Sequence, residues 1–598
     1  MHHFSVWAPR ASSCAVQVDG VTYAMSPASR GWWQADVDAA DYGSTYQFLL
    51  DSDPHPYPDP RSAWQPDSVH GPSRLLNQSS FTWSDDKWSA PPLSEAIIYE
   101  LHIGTFTPEG TFTAAIEHLK YLKNLGITHV ELMPVNSFPG RWGWGYDGVS
   151  LFAPQEKYGG PEALKQLVDA CHAAGLAVLL DVVYNHFGPV GNYTGKYGPY
   201  ITEQHHTPWG GAINFEASGS DEVRRFFCDN ALMWFRDYHF DGLRLDAIHA
   251  FVDRSAKHFL EQLSEEVEEL SNQLGRKLLL IAESDLNDPQ VVSPRNSSTT
   301  GEPSGSGGRG MDAQWSDDFH HSIFAFLSGE RRSYYRDFGS ITQIAKSLKS
   351  VFVFDGTYSE YRGRAHGGVI ENLSGHRFLG YIQNHDQIGN RAFGDRIVEV
   401  VGINKAKLAA ALIMTSPFVP MIFQGEEFAS SSPFLYFADH EDPELSRAVS
   451  EGRRREHAAD GAWDSVPDPE SQESFEVSKL KWSELDQAHH KEMLDWYRSL
   501  IHLRTSTASL RDGNLLDCKV SFDESTEWLT MERGQIQAIF NFGTSPLSQP
   551  VRKGSQILLT SDPEAHYEHK TVFIPPLAVA ILSGPADPID TRMPGEQS

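Results

Sequence analysis

Short apolar runs broken by Pro, Gly, Ser and Asp open the chain. Up to about residue 90 no long helical periodicity is present; stretches such as FSVW at 4–7 and CAVQV at 14–18 read as short strands, and residues 1–90 are expected to form an immunoglobulin-like β-sandwich. The Pro- and Ser-rich run SAPPLS at 89–94 marks a boundary. From Ile97 onward short buried strands alternate with amphipathic helices, the rhythm of βαβ units around a parallel sheet. Ile116, Leu119, Leu122 and Leu125 lie near one helical face, Gly126 stands where a C-cap glycine belongs, and residues 127–133 follow as a strand. The next unit repeats the plan: Pro161 opens a helix at its first position, Leu164, Leu167, Val168 and Cys171 form its apolar stripe, Gly175 closes it, and residues 176–183 are an almost wholly apolar strand. Strands at 240–246 and 278–283 follow helices near 221–238 and 255–274.

These strands share a feature that packing does not require: Asp181, Asp246 and Glu283 stand at or near their C-terminal ends. In a (β/α)8 barrel the active site is built at that end. A doubly wound open sheet would also place a site there, but no Gly-rich phosphate loop follows the first strand, so a (β/α)8 TIM barrel over residues 91–510 is favoured. Two segments read as loops: the polar, Ser/Gly-rich stretch at 294–310, and the charged, Pro-interrupted stretch at 441–478, with only local helical character. A helix near 488–504 precedes a return to short strands, such as 536–540 and 571–574, in a C-terminal β-domain assigned to 511–598.

Composition narrows the partners. A formal net charge of −30 repels nucleic acid and anionic lipid, whereas 15 Trp and 21 Tyr supply flat rings that can stack on the apolar faces of sugars, although most of them are expected to pack in cores. No basic segment followed by an apolar one begins the chain and no run of about 18 apolar residues appears, so a soluble, cytoplasmic protein without membrane contact is expected. Cys14, Cys171, Cys228 and Cys518 are far apart and read as reduced packing residues.

Four segments carry the chemistry: DVVYNH at 181–186, GLRLD at 242–246, IAE at 281–283 and QNHD at 383–386. Together and in this order they resemble the four motifs of the α-amylase family of glycoside hydrolases. The resemblance implies retaining hydrolysis of an α-glucan with Asp246 as nucleophile, Glu283 as general acid and Asp386 as the third carboxylate, which binds sugar hydroxyls and stabilises the oxocarbenium-like transition state. Such chemistry needs two carboxyl groups about 5–5.5 Å apart across the scissile bond. Alternation along one strand brings Arg244 and Asp246 to the same face, where the cation can keep Asp246 ionised. Glu283 has the opposite need, a dry or carboxylate-rich setting that retains its proton. By the same resemblance His186 and His385 bond the sugar at the cleavage subsite; Tyr146 is read as a stacking platform there, and Asp181 is assigned mainly to orienting Arg244 and the site. An alternative use of these Asp, Glu and His side chains, a metallohydrolase centre, lacks an HExxH pattern; no cofactor and no metal are expected.

Flanking segments narrow the substrate. FSVWAP at 4–9 resembles the module that precedes the barrel in branching, debranching and trehalose-releasing members. TPWGGAIN at 207–214, DGLRLDAIH at 241–249, DAQWSDDFHH at 312–321, QNHDQIGNR at 383–391, QGEE at 424–427 and SKLKW at 478–482 look like the trehalohydrolase branch over nearly the whole chain. That likeness implies cleavage of the α-1,4 bond next to the terminal α,α-1,1-linked pair of maltooligosyltrehalose, with a maltooligosyltrehalose synthase as functional partner. Trp209, His249, Asp312, Trp315, Asp318, His321, Asn384, Gln387, Asn390 and Arg391 are the further substrate-binding candidates. One departure is the Ser/Gly-rich insertion at 297–308 beside Glu283. A glucan branching enzyme, and a noncatalytic glucan-binding protein on the same barrel, are the alternatives.

Overall fold

The computed structural model describes residues 1–295, 307–458 and 465–584. Its centre is a closed barrel of eight parallel strands in chain order: β1 (Ile98–Leu101), β2 (His129–Leu132), β3 (Ala177–Val182), β4 (Gly242–Leu245), β5 (Leu279–Ala282), β6 (Ala313–Trp315), β7 (Phe378–Gly380) and β8 (Val419–Phe423), with β8 pairing back onto β1. All six residues of β3 are buried, as expected of strands covered on both faces. The inward positions of the lower barrel are apolar, with Ile98, Leu179, Leu279, Ile281, Ala313 and Met421 in one cluster. One step up, the inward positions turn polar, and Asp181 and Arg244 are register partners on β3 and β4.

Helices cover the strands for the reasons their sequences give. Gly126 closes helix Leu119–Leu125 at φ 101°, a left-handed backbone that a side chain would oppose. Pro161 sits in the first turn of Gly160–Ala173, and Ser220–Asp237 and Phe259–Leu274 lead into β4 and β5. Between β5 and β6, among the described residues, only a single 3-10 turn, Pro289–Val291, is formed. The Ser/Gly-rich stretch falls largely on 296–306, outside the described residues. The 441–478 segment holds more helix than its composition suggested: Pro443–Glu456 is a 14-residue helix started by the Asp442 carboxylate, which accepts from the backbone N–H groups of Glu444 and Leu445.

Two β-rich regions flank the barrel. The N-terminal one sets a sheet of His2–Trp7, Trp32–Val37 and Ser26–Pro27 beside a second of Val21–Ala24, Cys14–Val18, Thr45–Leu50 and Ser73–Arg74, with Phe4, Val6, Val16 and Phe48 buried. The C-terminal one pairs a five-stranded sheet, in which Ile536–Asn541 and Ala578–Ser583 are central, with a three-stranded sheet. The four cysteines are buried free thiols. No helix among the described residues is long and apolar enough to cross a membrane.

Candidate active site

The motif residues converge at the C-terminal mouth of the barrel. Both oxygens of Asp181 on β3 accept from one nitrogen of Arg244, Nη1, at 2.9 and 2.7 Å, and the same nitrogen donates to Asp246 Oδ1 at 2.7 Å. The other terminal nitrogen of Arg244 lies 3.6 Å from Glu283 Oε2. One fully buried guanidinium therefore touches both carboxyl groups, and its carbon sits 4.2 Å from the centre of the Trp315 ring, which fixes its plane. Asn185 donates to the second oxygen of Asp246 at 3.0 Å.

Asp246 and Glu283 are bridged by backbone. Ala247, directly after Asp246, is held at φ 41°, ψ 50°, a left-handed conformation that costs a non-glycine residue about 1–3 kcal/mol. The turn aims its N–H at Glu283 Oε2, 2.7 Å away. Burial, reinforced by Asp246, Asp317 and Asp386 and opposed by Arg244, drives the Glu283 carboxyl well above the ordinary glutamate range. Glu283 thus has the drier, carboxylate-rich setting that an acid requires.

The fourth wall comes from the loop after β7. Asn384 caps helix His385–Gly389: its side-chain oxygen accepts from the N–H groups of Asp386 and Gln387, and the Gln387 side-chain oxygen accepts from the Asn384 N–H. The His385 ring lies against Glu100 Oε1 through Nδ1 (2.5 Å) and against the Tyr146 hydroxyl through Nε2 (2.8 Å). Burial opposes a charge on this imidazole, but the Glu100 and Asp386 carboxylates outweigh it and raise the group to about 9. Tyr146 also donates to Asp181 at 2.5 Å and stacks on His385 with ring centres 5.1 Å apart. His186, kept below its ordinary value by burial, lies face to face with the half-exposed Trp209 at 5.3 Å. Among the described residues, no group of three or more His, Cys, Asp or Glu side chains is placed to hold a metal ion.

Between these walls lies a cavity of about 220 Å³ lined by Glu283, Trp315, His321, Asn384, Asp386, Gln387 and Asn390 together with Asp285, Asp317, Tyr334, Tyr361 and Arg362.

The family model for the alpha amylase catalytic domain matches residues 76–205. Malto-oligosyltrehalose trehalohydrolase of Rhizobium sp. (strain M-11) is 45% identical to this chain, over 97% of each. The enzyme of the same name from Mycobacterium tuberculosis is 46% identical over 94% of this chain and 96% of its own. This chain belongs to the malto-oligosyltrehalose trehalohydrolase family. A solved structure of a Salmonella typhimurium protein assigned to the alpha amylases superposes with a TM-score of 0.88 at 35% identity, covering 97% of each chain.

Not every residue proposed from the trehalohydrolase-like segments reaches the cavity. Asp312 precedes β6 and so lies at the opposite, N-terminal end of the barrel, where it pairs with Lys277 at 2.9 Å and accepts from the Leu280 N–H. Asp318 is turned away from the cavity; its carboxylate accepts from the N–H groups of Val353 and Phe354 and from Asn287, a loop-binding task. Arg391 is engaged by Glu330 and Asp395 and lies over Phe324. His249 is exposed on the turn Ile248–Ala250.

Conversely, Asp317, beside Asp318, faces the cavity, and Tyr361, Arg362 and Tyr334 arrive from the long connection between β6 and β7. The 3.1 Å pair of Arg362 with Asp285 ties that connection to the loop after Glu283. Only the Asp317–Asp318 doublet after a strand could have flagged this wall in the sequence. Glu100 had a weak signal as a lone acid at the end of an apolar strand.

Proposed function

We propose that this chain hydrolyses the α-1,4-glucosidic bond next to the terminal trehalose unit of maltooligosyltrehalose, with retention of configuration, releasing trehalose and a shortened maltooligosaccharide. The observation that carries the chemistry is the shared guanidinium: Arg244 touches both Asp246 and Glu283, and burial among carboxylates pushes the Glu283 carboxyl up, toward its protonated form. Near neutral pH Asp246, with a donor on each oxygen, serves as the nucleophile and Glu283 as the acid. Asp246 attacks the anomeric carbon while Glu283 protonates the departing oxygen. Glu283, now ionised, then takes a proton from the water that releases the glycosyl ester. The full-length likeness to trehalohydrolases supports the substrate over branching.

The two sides of the site divide the substrate. The departing group must leave past the acid, so the trehalose unit belongs on the Glu283 side, in the cavity with Asp317, His321, Tyr334, Tyr361 and Arg362. The glucan arm then runs past His186 and Trp209. Residues 1–90 and 511–598 serve as flanking β-domains. A maltooligosyltrehalose synthase would supply the substrate, and a cytoplasmic setting suits four buried free thiols.

Product analysis tests the reading. Incubation with maltotetraosyltrehalose should release trehalose rapidly, maltohexaose should be cleaved slowly, and Asp246→Asn should do neither. Comparable cleavage of both substrates would discard the trehalose specificity, and lengthened, iodine-staining branched products would replace hydrolysis by transfer.

A further inference from the structure

The Asp246 carboxylate is held at both oxygens by donors of different kinds. Oδ1 accepts from the Arg244 guanidinium at 2.7 Å and Oδ2 from the side-chain amide of Asn185 at 3.0 Å. Asn185 is 1% exposed and lies in the loop just after β3. Its amide has one admissible orientation. Turning it over would set its oxygen against Asp246 Oδ2, anion against acceptor; in the orientation found, that oxygen faces His186 Nδ1 at 2.8 Å, a contact that is a hydrogen bond in the tautomer protonated at Nδ1. The carboxylate, which can only accept, therefore sets the orientation of the amide, and the buried amide in turn holds the carboxylate.

The two bonds to Asp246 are unequal. Both are charge-assisted, because the carboxylate is ionised, but only the guanidinium also brings a positive charge to the oxygen it binds. The oxygen bound by the cation gives up more of the carboxylate's electron density; the one bound by the amide keeps more of its nucleophilic character.

We propose that Asn185 is a positioning residue for the nucleophile, presenting Asp246 Oδ2 as the attacking atom while Oδ1, pinned by Arg244, becomes the carbonyl oxygen of the glycosyl ester. The proposal rests on the reading of Asp246 as nucleophile. In the first step the bond from Oδ2 to the anomeric carbon forms as the glycosidic bond breaks; the electron pair goes to the departing oxygen, which takes the proton of Glu283. In the second step water adds to the anomeric carbon, the electron pair of the ester bond returns to Oδ2, and the water's proton passes to Glu283. Oδ2 is then free to accept again from Asn185. Without the amide, Asp246 swings about its side-chain torsion around the Arg244 contact, and the loss falls on turnover more than on sugar binding.

An α-maltotriosyl fluoride, whose departing fluoride needs no proton, separates this role from that of the acid. Wild type, Asn185→Ala, Asn185→Asp and Glu283→Gln are compared on the fluoride and on maltotetraosyltrehalose, with a pH profile of kcat/KM and a melting curve for each. Glu283→Gln should form its glycosyl ester from the fluoride nearly as fast as wild type, seen as a burst of fluoride release, while its turnover stays held back by the second step, which lacks the Glu283 base. Asn185→Ala should remain about 10- to 100-fold down in kcat on both substrates with KM nearly unchanged, the scale of one hydrogen bond to a charged group. Asn185→Asp sets a second anion beside Oδ2 and should move the acid limb to higher pH. A folded Asn185→Ala with kcat on the fluoride within about two-fold of wild type, or an Asn185→Asp whose acid limb does not move, overturns the proposal. If Asn185→Ala does not fold, the acid limb of Asn185→Asp decides alone. A wild type that cleaves the fluoride but releases no trehalose removes the substrate assignment and leaves the role of Asn185 standing.

Discussion

Strand β4 carries an aspartate at each end, and the two are put to different uses. Asp241, at the bottom, is 1% exposed and fully engaged: it accepts from His172 Nε2 at 3.0 Å, from the Val178 N–H and the Trp88 indole at 2.9 Å each, and from Arg276 at 3.5 Å. The other nitrogen of His172 meets Asp85 at 2.7 Å, and Trp88 covers the imidazole face at 4.6 Å. At the top, Asp246 belongs to a cluster of the same kinds of group that is left open. Arg244 Nε and Nη2 have no hydrogen-bond acceptor, and the Asp386 carboxylate is about half exposed to the cavity. Unpaired buried donors are costly, so a closed cluster stabilises the fold while an open one keeps polar groups available for a ligand.

Exchanging each aspartate for asparagine breaks the comparison most sharply. Asp246→Asn should lower kcat by about 10⁴-fold or more, the order found when a covalent nucleophile is removed, while the melting temperature holds or rises as like charges around Glu283 are relieved. Asp241→Asn should do the reverse: kcat within about two-fold of wild type, but a loss of about 3–5 kcal/mol in denaturant unfolding from a broken buried ion pair. Equal losses of activity in both variants would show that the bottom cluster also sets catalytic geometry.

Glu283→Gln comes next, with a fall in kcat of about 10²- to 10⁴-fold for loss of general acid catalysis. Its stability should move the other way. Because the folded carboxyl is raised, its burial counts against the fold increasingly as pH climbs above the ordinary glutamate value, so the neutral amide should raise the melting temperature, more at pH 8 than at pH 5. The histidines at the two ends extend the contrast to alkaline pH. His385 and His172 are both raised in the folded chain, so their stabilisation is complete below about 6.5, the ordinary histidine value, and is lost as pH rises through the folded one, about 9 for His385. Activity and stability should therefore both decline in alkaline solution. His172→Gln should flatten the stability curve over that range and leave the alkaline limb of kcat/KM in place; a shifted limb would join the two ends functionally.

How much of this was legible in the sequence follows from where each signal is local. Apolar strands with Pro161 and Gly126 at helix ends read directly, because propensity and burial agree there. Asp181, Asp246 and Glu283 stood out in the sequence as polar ends of apolar strands, whereas Asp386 came only from the resemblance to the α-amylase motifs; Arg244 and Asp246 sit on one face as alternation requires. The cavity wall did not read. Tyr334, Tyr361 and Arg362 lie in a connection whose path depends on contacts such as Arg362 with Asp285 and Ser359 with Asp337, distant in sequence and without periodicity. Asp241 did not read either: in the run DGLRLD both aspartates look alike, and only the direction of the strand tells which faces the substrate.

The smallest expected difference is also the most discriminating test of that last point. Asp312 and Asp317 bracket β6 as Asp241 and Asp246 bracket β4. Asp317 accepts from Tyr381 at 2.5 Å, and burial, with like charges from Asp386 and Asp285, raises it to about 6 on the wall where the trehalose unit is proposed to lie. Asp317→Asn should raise KM for maltotetraosyltrehalose by about 10-fold, the worth of a charge-assisted bond to a sugar hydroxyl, with a smaller effect on maltohexaose. Asp312 is tied to Lys277 and the Leu280 N–H at the far end, with its side chain about one-fifth exposed. Asp312→Asn should change kcat/KM by less than about two-fold on either substrate and stability by no more than about 1 kcal/mol, the range of a partly exposed ion pair. A trehalose-specific KM effect in Asp312→Asn rather than Asp317→Asn would mean that strand direction does not decide which aspartate serves the substrate, on β6 and by extension on β4.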